Sequence, residues 1–262
     1  MPDNHHSKPF LRLEHVSFSY YSALGEVAAL SDINFNVEKG SFVALVGPSG
    51  CGKSTILSLI SGLLKPVGGF ITFYSEDFCA PKVGYMLQHD HLLEWRDVYH
   101  NIMLGLEIQK NKTPENLALV DELLEKYKLS DTKNKKPSAL SGGMRQRIAL
   151  IRTLATRPDL LLLDEPFSAL DYQTRLRISK DVRDIIKSEE KTAILVTHDI
   201  SEAVSMADIV IVLTKPPCAV KDIIPIEFEK NGIDRSEIRT SKLFQEYFDR
   251  IWREMQDENT ER

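Results

Sequence analysis

The sequence has no apolar run long enough to cross a bilayer. Its most hydrophobic stretches, Leu160 to Leu163, Ala193 to Val196 and Ile209 to Leu213, have strand length, far below the roughly 20 residues that a spanning helix needs. Positive charge is not in surplus either: 33 Lys and Arg stand against 38 Asp and Glu, a formal charge of −5. That balance disfavours a nucleic-acid partner, because phosphate neutralisation needs a surplus of Lys and Arg on at least one face. Cysteine is scarce. Cys51, Cys79 and Cys218 are an odd number at unrelated spacings, which points to neither a disulfide framework nor a metal knuckle and favours a reducing, cytoplasmic setting. The opening Met1-Pro2-Asp3-Asn4-His5-His6 lacks the apolar segment of a signal peptide. With 13 Gly and 12 Pro in 262 residues the chain is not of low complexity, and an apolar share of 42% suffices for a large core.

What is present is a recurrence of short apolar runs, at Phe10 to Leu13, Phe42 to Val46, Phe70 to Phe73, Val83 to Leu87, Leu160 to Leu163, Ala193 to Val196 and Ile209 to Leu213. Several are continuous rather than alternating, the pattern of strands covered by helices on both faces, so an α/β fold is expected. Ile56, Leu57, Ile60, Leu63 and Leu64 follow helical spacing and predict a helix ending near Lys65-Pro66, where proline disfavours continuation. Between about Gln88 and Pro158 the pattern is helix alone, which predicts an inserted helical part. Thr113-Pro114 reads as a helix start, and Val120, Leu123, Leu124 and Tyr127 as the buried stripe of that helix. Lys133, Lys135 and Lys136 read as a solvated loop. The tail opens with Pro216-Pro217 and predicts a charged helix around Leu243 to Met255.

Three groups of residues carry chemistry. The first is Gly47-Pro48-Ser49-Gly50-Cys51-Gly52-Lys53-Ser54-Thr55, which fits G-x-x-x-x-G-K-[ST] between a predicted strand and a predicted helix. Small residues let backbone N–H groups close around the β- and γ-phosphates of a nucleotide, and the helix N-terminus adds its partial positive charge. Lys53 supplies a point charge and the Ser54 hydroxyl can ligate Mg²⁺; Cys51 reads as a tolerated spacer. The second group is Leu160-Leu161-Leu162-Leu163-Asp164-Glu165-Pro166. A buried strand here delivers two carboxylates to its C-terminal end, where α/β sheets place their ligands. Asp164 is suited to hold Mg²⁺ and Glu165 to accept a proton from, or orient, the water that attacks the γ-phosphate. A kinase or a simple GTPase needs the Asp but not the Glu.

The third group is Leu140-Ser141-Gly142-Gly143-Met144-Arg145-Gln146-Arg147. Its Ser-Gly-Gly before a helix is another anion-binding N-terminus. The run resembles the signature motif of ATP-binding cassette (ABC) ATPases, usually LSGGQ, with Met144 in place of Gln. Other positions are similar in the family's order. Tyr20 matches the aromatic that stacks on adenine, with Tyr21 beside it leaving the register open. Gln88, in Gly84-Tyr85-Met86-Leu87-Gln88, matches the Q-loop glutamine that reaches Mg²⁺ and the attacking water. Ser168-Ala169-Leu170-Asp171 resembles the D-loop, and His198 the switch histidine on the γ-phosphate.

The resemblance covers roughly residues 11 to 215. It implies a P-loop NTPase, RecA-like α/β core with an antiparallel β part and an inserted helical subdomain: core at 10–87 and 159–215, helical subdomain with the signature at 88–158, and a C-terminal extension at 216–262. It implies ATP and Mg²⁺ as cofactors and a head-to-tail homodimer, in which Ser141, Gly142 and Gly143 of one copy meet the ATP held by Gly47, Ser49, Gly50, Cys51, Gly52, Lys53, Ser54 and Thr55 of the other. A cassette with no membrane span resembles a bacterial importer subunit on the cytoplasmic face of the membrane, working with separate permease subunits and, through them, a solute-binding protein. Leu92-Leu93-Glu94-Trp95-Arg96-Asp97-Val98, Asn101-Ile102 and Leu104-Gly105-Leu106-Glu107 are similar to the nitrate/sulfonate/taurine group, with Glu94 in place of its usual proline. Thiamin-precursor pyrimidine importers share much of that pattern. Leu92, Leu93 and Trp95 among charged neighbours are expected to form the socket for a membrane partner, although core packing explains Leu92 and Leu93 equally well. The alternatives are a non-transport ABC ATPase of DNA repair or translation, and a P-loop kinase.

Overall fold

The computed structural model describes residues 9–23, 25–74, 80–168, 170–228, 231–233 and 238–256. The opening residues Met1 to His6, Cys79, and Ala169 of the D-loop-like run lie outside the described residues. In chain order the elements are β1 (Leu11–Ser22), β2 (Gly25–Val37), β3 (Phe42–Val46), α1 (Lys53–Ile60), β4 (Gly68–Phe73), β5 (Val83–Met86), α2 (Val98–Ile102), α3 (Leu104–Ile108), α4 (Pro114–Lys126), α5 (Gly142–Leu154), β6 (Leu160–Asp164), α6 (Tyr172–Ser188), β7 (Thr192–Val196), α7 (Ile200–Met206), β8 (Ile209–Leu213), β9 (Val220–Pro225) and α8 (Lys242–Gln256). They fall into two units, one formed by the chain up to Pro81 together with Thr192 onward, the other by Lys82–Lys191.

In the first unit, β1 lies between β2 and β4 in an antiparallel sheet, with Leu11 opposite both Val37 and Phe73. β3 pairs in parallel with β7 on one side and β8 on the other, and β9 adds antiparallel to β8. Every residue of β3 and β7 is buried, as the apolar runs at 42–46 and 193–196 require. β2 and β9 are strands that the sequence reading did not contain. Both are held by hairpin-like pairing rather than by an apolar run: β2 presents only Leu30, Ile33, Phe35 and Val37 to the core, and β9 only Ile224.

α1 stops short of the predicted end near Lys65-Pro66. Gly62 has φ +77°, a left-handed turn that glycine adopts without steric cost. The Leu64 N–H then donates to the Ser58 carbonyl, and Leu63 is left exposed. The stop is thus set by Gly62, four residues before the proline.

In the second unit β5 and β6 are parallel, Met86 opposite Leu163. The rest is helical. The Thr113 hydroxyl accepts from the Asn116 N–H and Pro114 takes the first turn of α4, a cap that contributes about 1 kcal/mol. Val120, Leu123, Leu124 and Tyr127 are buried as expected. The lysine loop is solvated as expected, with Lys135 and Lys136 exposed and Lys133 half-buried. Lys133 Nζ lies 2.6 Å from Asp121 and 4.3 Å from the centre of the Tyr99 ring, and Lys136 Nζ donates to the Trp95 carbonyl at 2.6 Å. Among the described residues no helix is long and apolar enough to cross a membrane.

Candidate functional site

The loop from Gly47 to Gly52 connects β3 to α1, and two features of its sequence fix its course. Gly50 and Gly52 have φ of +74° and +112°, which side chains resist. A Cβ on Gly52 would also stand 2.7 Å from Leu30 Cδ2. Lys53 is only 6% exposed, and its ammonium donates to the Gly47 and Pro48 carbonyls at 2.9 and 2.8 Å. A buried cation satisfied in this way holds the loop wrapped around its own side chain, while Ser49, Gly50 and Ser54 face solvent. Such a loop, at a helix N-terminus, is an anion cradle.

The strand pairing brings His198 to the same edge. Leu45 of β3 lies beside Val196 of β7, and the Thr197 N–H donates to the Leu45 carbonyl, so both strands release their loops on one side. His198 is exposed there. Its neighbours pin it: Asp199 caps α7 by accepting from the Glu202 N–H, and the Thr197 hydroxyl donates to the buried Glu202 carboxylate at 2.5 Å. Of the two adjacent tyrosines, Tyr20 reaches the phosphate loop, its hydroxyl 2.9 Å from Thr55 Oγ1. Tyr21, on the opposite face as strand alternation dictates, donates instead to Glu26.

The second unit holds the carboxylates. β6 ends in Asp164, which is buried and accepts from the Tyr85 hydroxyl at 3.4 Å. Glu165 follows with φ +45°, a left-handed conformation that costs a non-glycine residue roughly 1–2 kcal/mol. The Ser168 N–H and hydroxyl both donate to its carbonyl, which holds the turn. Gln88, two residues past the end of the neighbouring strand β5, donates to the Glu165 carboxylate at 3.4 Å. The structure therefore gathers Gln88, Asp164 and Glu165 at the C-terminal ends of two adjacent parallel strands.

Ser141, Gly142 and Gly143 open α5 in the same unit. The Ser141 hydroxyl accepts from the Met144 N–H, so it is the helix N-cap. A Cβ on Gly143 would lie 2.5 Å from Ile178 Cδ1 and 3.3 Å from Thr174 Cγ2, so this glycine also permits close packing of α5 on α6. Asp171 caps α6, its carboxylate accepting from the Thr174 N–H at 3.0 Å. The signature-like and D-loop-like residues thus stand at the starts of two helices in contact. Tyr20, the phosphate loop and His198 belong to the first unit; Gln88, Asp164, Glu165, Ser141, Gly142, Gly143 and Asp171 belong to the second.

Sequence reasoning missed two supports. Arg145 of α5 grips Asp90, Nε to Oδ2 at 2.8 Å and Nη2 to Oδ1 at 3.3 Å, and Arg152 donates to the Asp90 and His91 carbonyls. Burial would raise the Asp90 pKa, but Arg145 and the Leu92 N–H outweigh it and hold the carboxyl below its ordinary range. The second is Asn101, fully buried. Its amide accepts from the Leu93 N–H and donates to the Leu93, Arg96 and Asp97 carbonyls. All of its polar capacity goes into one loop. At the crest of that loop Trp95 is 73% exposed, while Leu92 is buried. Both supports join residues far apart in sequence or pair side chain with backbone, and no local pattern announces either.

The family model described as "ABC transporter" matches residues 30–168. The chain is 43% identical to the ABC transporter ATP-binding protein YtlC of Bacillus subtilis, over 94% of this chain and 95% of that one. It is 38% identical to the aliphatic sulfonates import ATP-binding protein SsuB of Bacillus licheniformis, over 90% of each. Among solved structures, the dimeric post-hydrolysis state of the ATP-binding cassette MJ0796 with ADP and Pi is similar at 31% identity and a TM-score of 0.70, over 83% of this chain and 99% of that one. These likenesses exclude the kinase alternative. The chain belongs to the ABC transporter family, as one of its ATP-hydrolysing subunits.

Proposed function

We propose that this subunit drives a bacterial importer, hydrolysing ATP on the cytoplasmic face of the membrane to energise uptake of a small solute through separate permease subunits. The solute would be of the nitrate, sulfonate, taurine or thiamin-precursor pyrimidine class, delivered by a solute-binding protein; no nucleic acid takes part. The likeness to a sulfonate importer subunit supports the class. In this reading the functional division runs 10–87 and 159–215 for the nucleotide core, 88–158 for the helical subdomain and 216–262 for an extension.

The observation that carries the catalytic part is the adjacency of Gln88 to Glu165 beside a buried Asp164. Gly47, Ser49, Gly50, Cys51, Gly52 and Thr55 offer backbone and hydroxyl donors to the phosphates, Lys53 a fixed charge, and Tyr20 a ring for adenine. Ser54, Gln88 and Asp164 would hold Mg²⁺. Their hydroxyl, amide and carboxylate oxygens are the hard donors that ion takes together with phosphate oxygens, and when bound it neutralises phosphate charge. Glu165 accepts the proton of the attacking water, Gln88 orients that water, and His198 binds the γ-phosphate. Ser141, Gly142 and Gly143 of a second copy close on the nucleotide in a homodimer, with Asp171 at the crossing. The loop crested by Trp95 is the socket for the permease.

Glu165→Gln tests the reading. The variant should keep ATP binding, lose about 10²–10⁴ in turnover and accumulate as an ATP-bound dimer on gel filtration. An unchanged monomer with normal turnover would refute it.

A further inference from the structure

The sequence spaces its cysteines without pattern, yet the fold brings two of them together in the first unit. Cys51 lies in the phosphate loop, its sulfur beside Gly47 and 3.9 Å from Lys53 Nζ. Cys218 follows Pro216-Pro217 at the start of the connection into β9, and backbone bonds clamp it against β2: its N–H donates to the Ala29 carbonyl, and its carbonyl accepts from the Ser31 N–H. Its Cβ stands 3.7 Å from where a Cβ on Gly52, the residue after Cys51, would be. Both residues are buried, at 1% and 0% exposure.

The neighbouring Cys218 thiol, aided by the charge of Lys53 and opposed by burial, holds the Cys51 thiol below its ordinary value. That favours the thiolate, which is the nucleophile. With both residues buried, the oxidant has to be small.

We propose that Cys51 and Cys218 form a reversible disulfide that closes the phosphate loop to nucleotide, with hydrogen peroxide or a similarly small peroxide as oxidant. The Cys51 thiolate attacks a peroxide oxygen. The O–O bond breaks, the leaving hydroxide takes a proton to become water, and Cys51 becomes a sulfenic acid. The Cys218 sulfur then attacks the Cys51 sulfur; the S–S bond forms, the S–O bond breaks, and hydroxide leaves with the Cys218 proton as a second water. Two electrons pass from two thiols to one peroxide. Contraction of the pair to the ~2.05 Å of a disulfide drags Cys51 toward the clamped Cys218 segment, and the loop N–H groups lose the geometry a phosphate needs.

The inference rests on Gly47 to Thr55 being the ATP loop, so the two are read separately. Reduced wild-type protein is first tested for ATP binding, then treated with hydrogen peroxide, mapped by non-reducing peptide mass spectrometry and retested before and after dithiothreitol. A linked Cys51–Cys218 peptide, with ATP binding lost and then restored, is expected. Cys218→Ala should bind and hydrolyse ATP as the reduced wild type does and form no such link. Peroxide-treated protein without the link, a link made instead to Cys79, or linked protein that still binds ATP overturns the proposal. Failure of the reduced protein to bind ATP overturns the ATP-loop reading instead.

Discussion

Removing Asp90 tests whether the segment that follows Gln88 is tied to the helix that opens with the signature. Asp90→Ala deletes two charge-assisted bonds to Arg145, at 2.8 and 3.3 Å, and an acceptor for the Leu92 N–H at 3.1 Å. The side chains are 16% and 33% exposed, between a surface pair worth ~0–1 kcal/mol and a buried pair whose breaking costs ~3–5 kcal/mol. The expected cost is about 2–3 kcal/mol, and a double-mutant cycle with Arg145→Ala should return a coupling of about 1–2 kcal/mol. Glu94, 3.7 Å from Arg145 and half exposed, adds little. Trp95, close in sequence, provides the signal: urea unfolding is followed by fluorescence in a Trp252→Phe background, and thermal midpoints should drop by roughly 5–10 °C. The pH dependence has a definite sign. Because the folded pKa of Asp90 is depressed, its contribution is fully present above the unfolded value of ~3.9 and is lost as pH falls through the folded value. The difference between wild type and Asp90→Ala should therefore stay constant from neutral pH down to about 5 and shrink only in stronger acid. Effects that add without coupling, or a difference that vanishes near neutrality, would refute the tie.

Lys53→Ala should weaken ATP binding by about 10–100-fold, the loss of one charge-assisted contact of ~1.5–3 kcal/mol; unchanged affinity by equilibrium titration would remove Lys53 from the phosphate site. Trp95→Ala should leave folding and the isolated ATPase near normal, since the ring is mostly exposed, yet cost about 2 kcal/mol or more in binding to the permease. Intact co-purification with membrane subunits, or an unfolded variant, would show that the socket lies elsewhere.

The phosphate loop and the strand-end carboxylates could be read from sequence because their causes are local. A glycine that must turn left-handed, a lysine at a helix start and a carboxylate after four leucines each announce themselves within a few residues. β2 and β9 could not, since their polar-rich sequences become strands only when β1 and β8 pair with them. The end of α1 was misplaced because Pro66 is a louder signal than Gly62. Asp90 with Arg145 and Cys51 with Cys218 are products of the folded chain alone. Their positions in sequence predict no meeting, although each side chain is polar or reactive enough to need one when buried.

Asn101 gives the loop around Trp95 an unusual kind of independence. A turn commonly takes its shape from the residues that compose it, so that changing its surface changes its outline. Here a large share of the backbone bonding at residues 93, 96 and 97 runs to one amide rooted in α2, and the Trp95 carbonyl is held from outside by Lys136. Glu94 and Trp95 therefore decorate a contour they do not determine. Through divergence or by design, those two side chains can be exchanged to suit a different partner while the loop keeps its outline. A carboxylate at position 101 would instead set negative charge against three carbonyl oxygens and disturb the display as a whole.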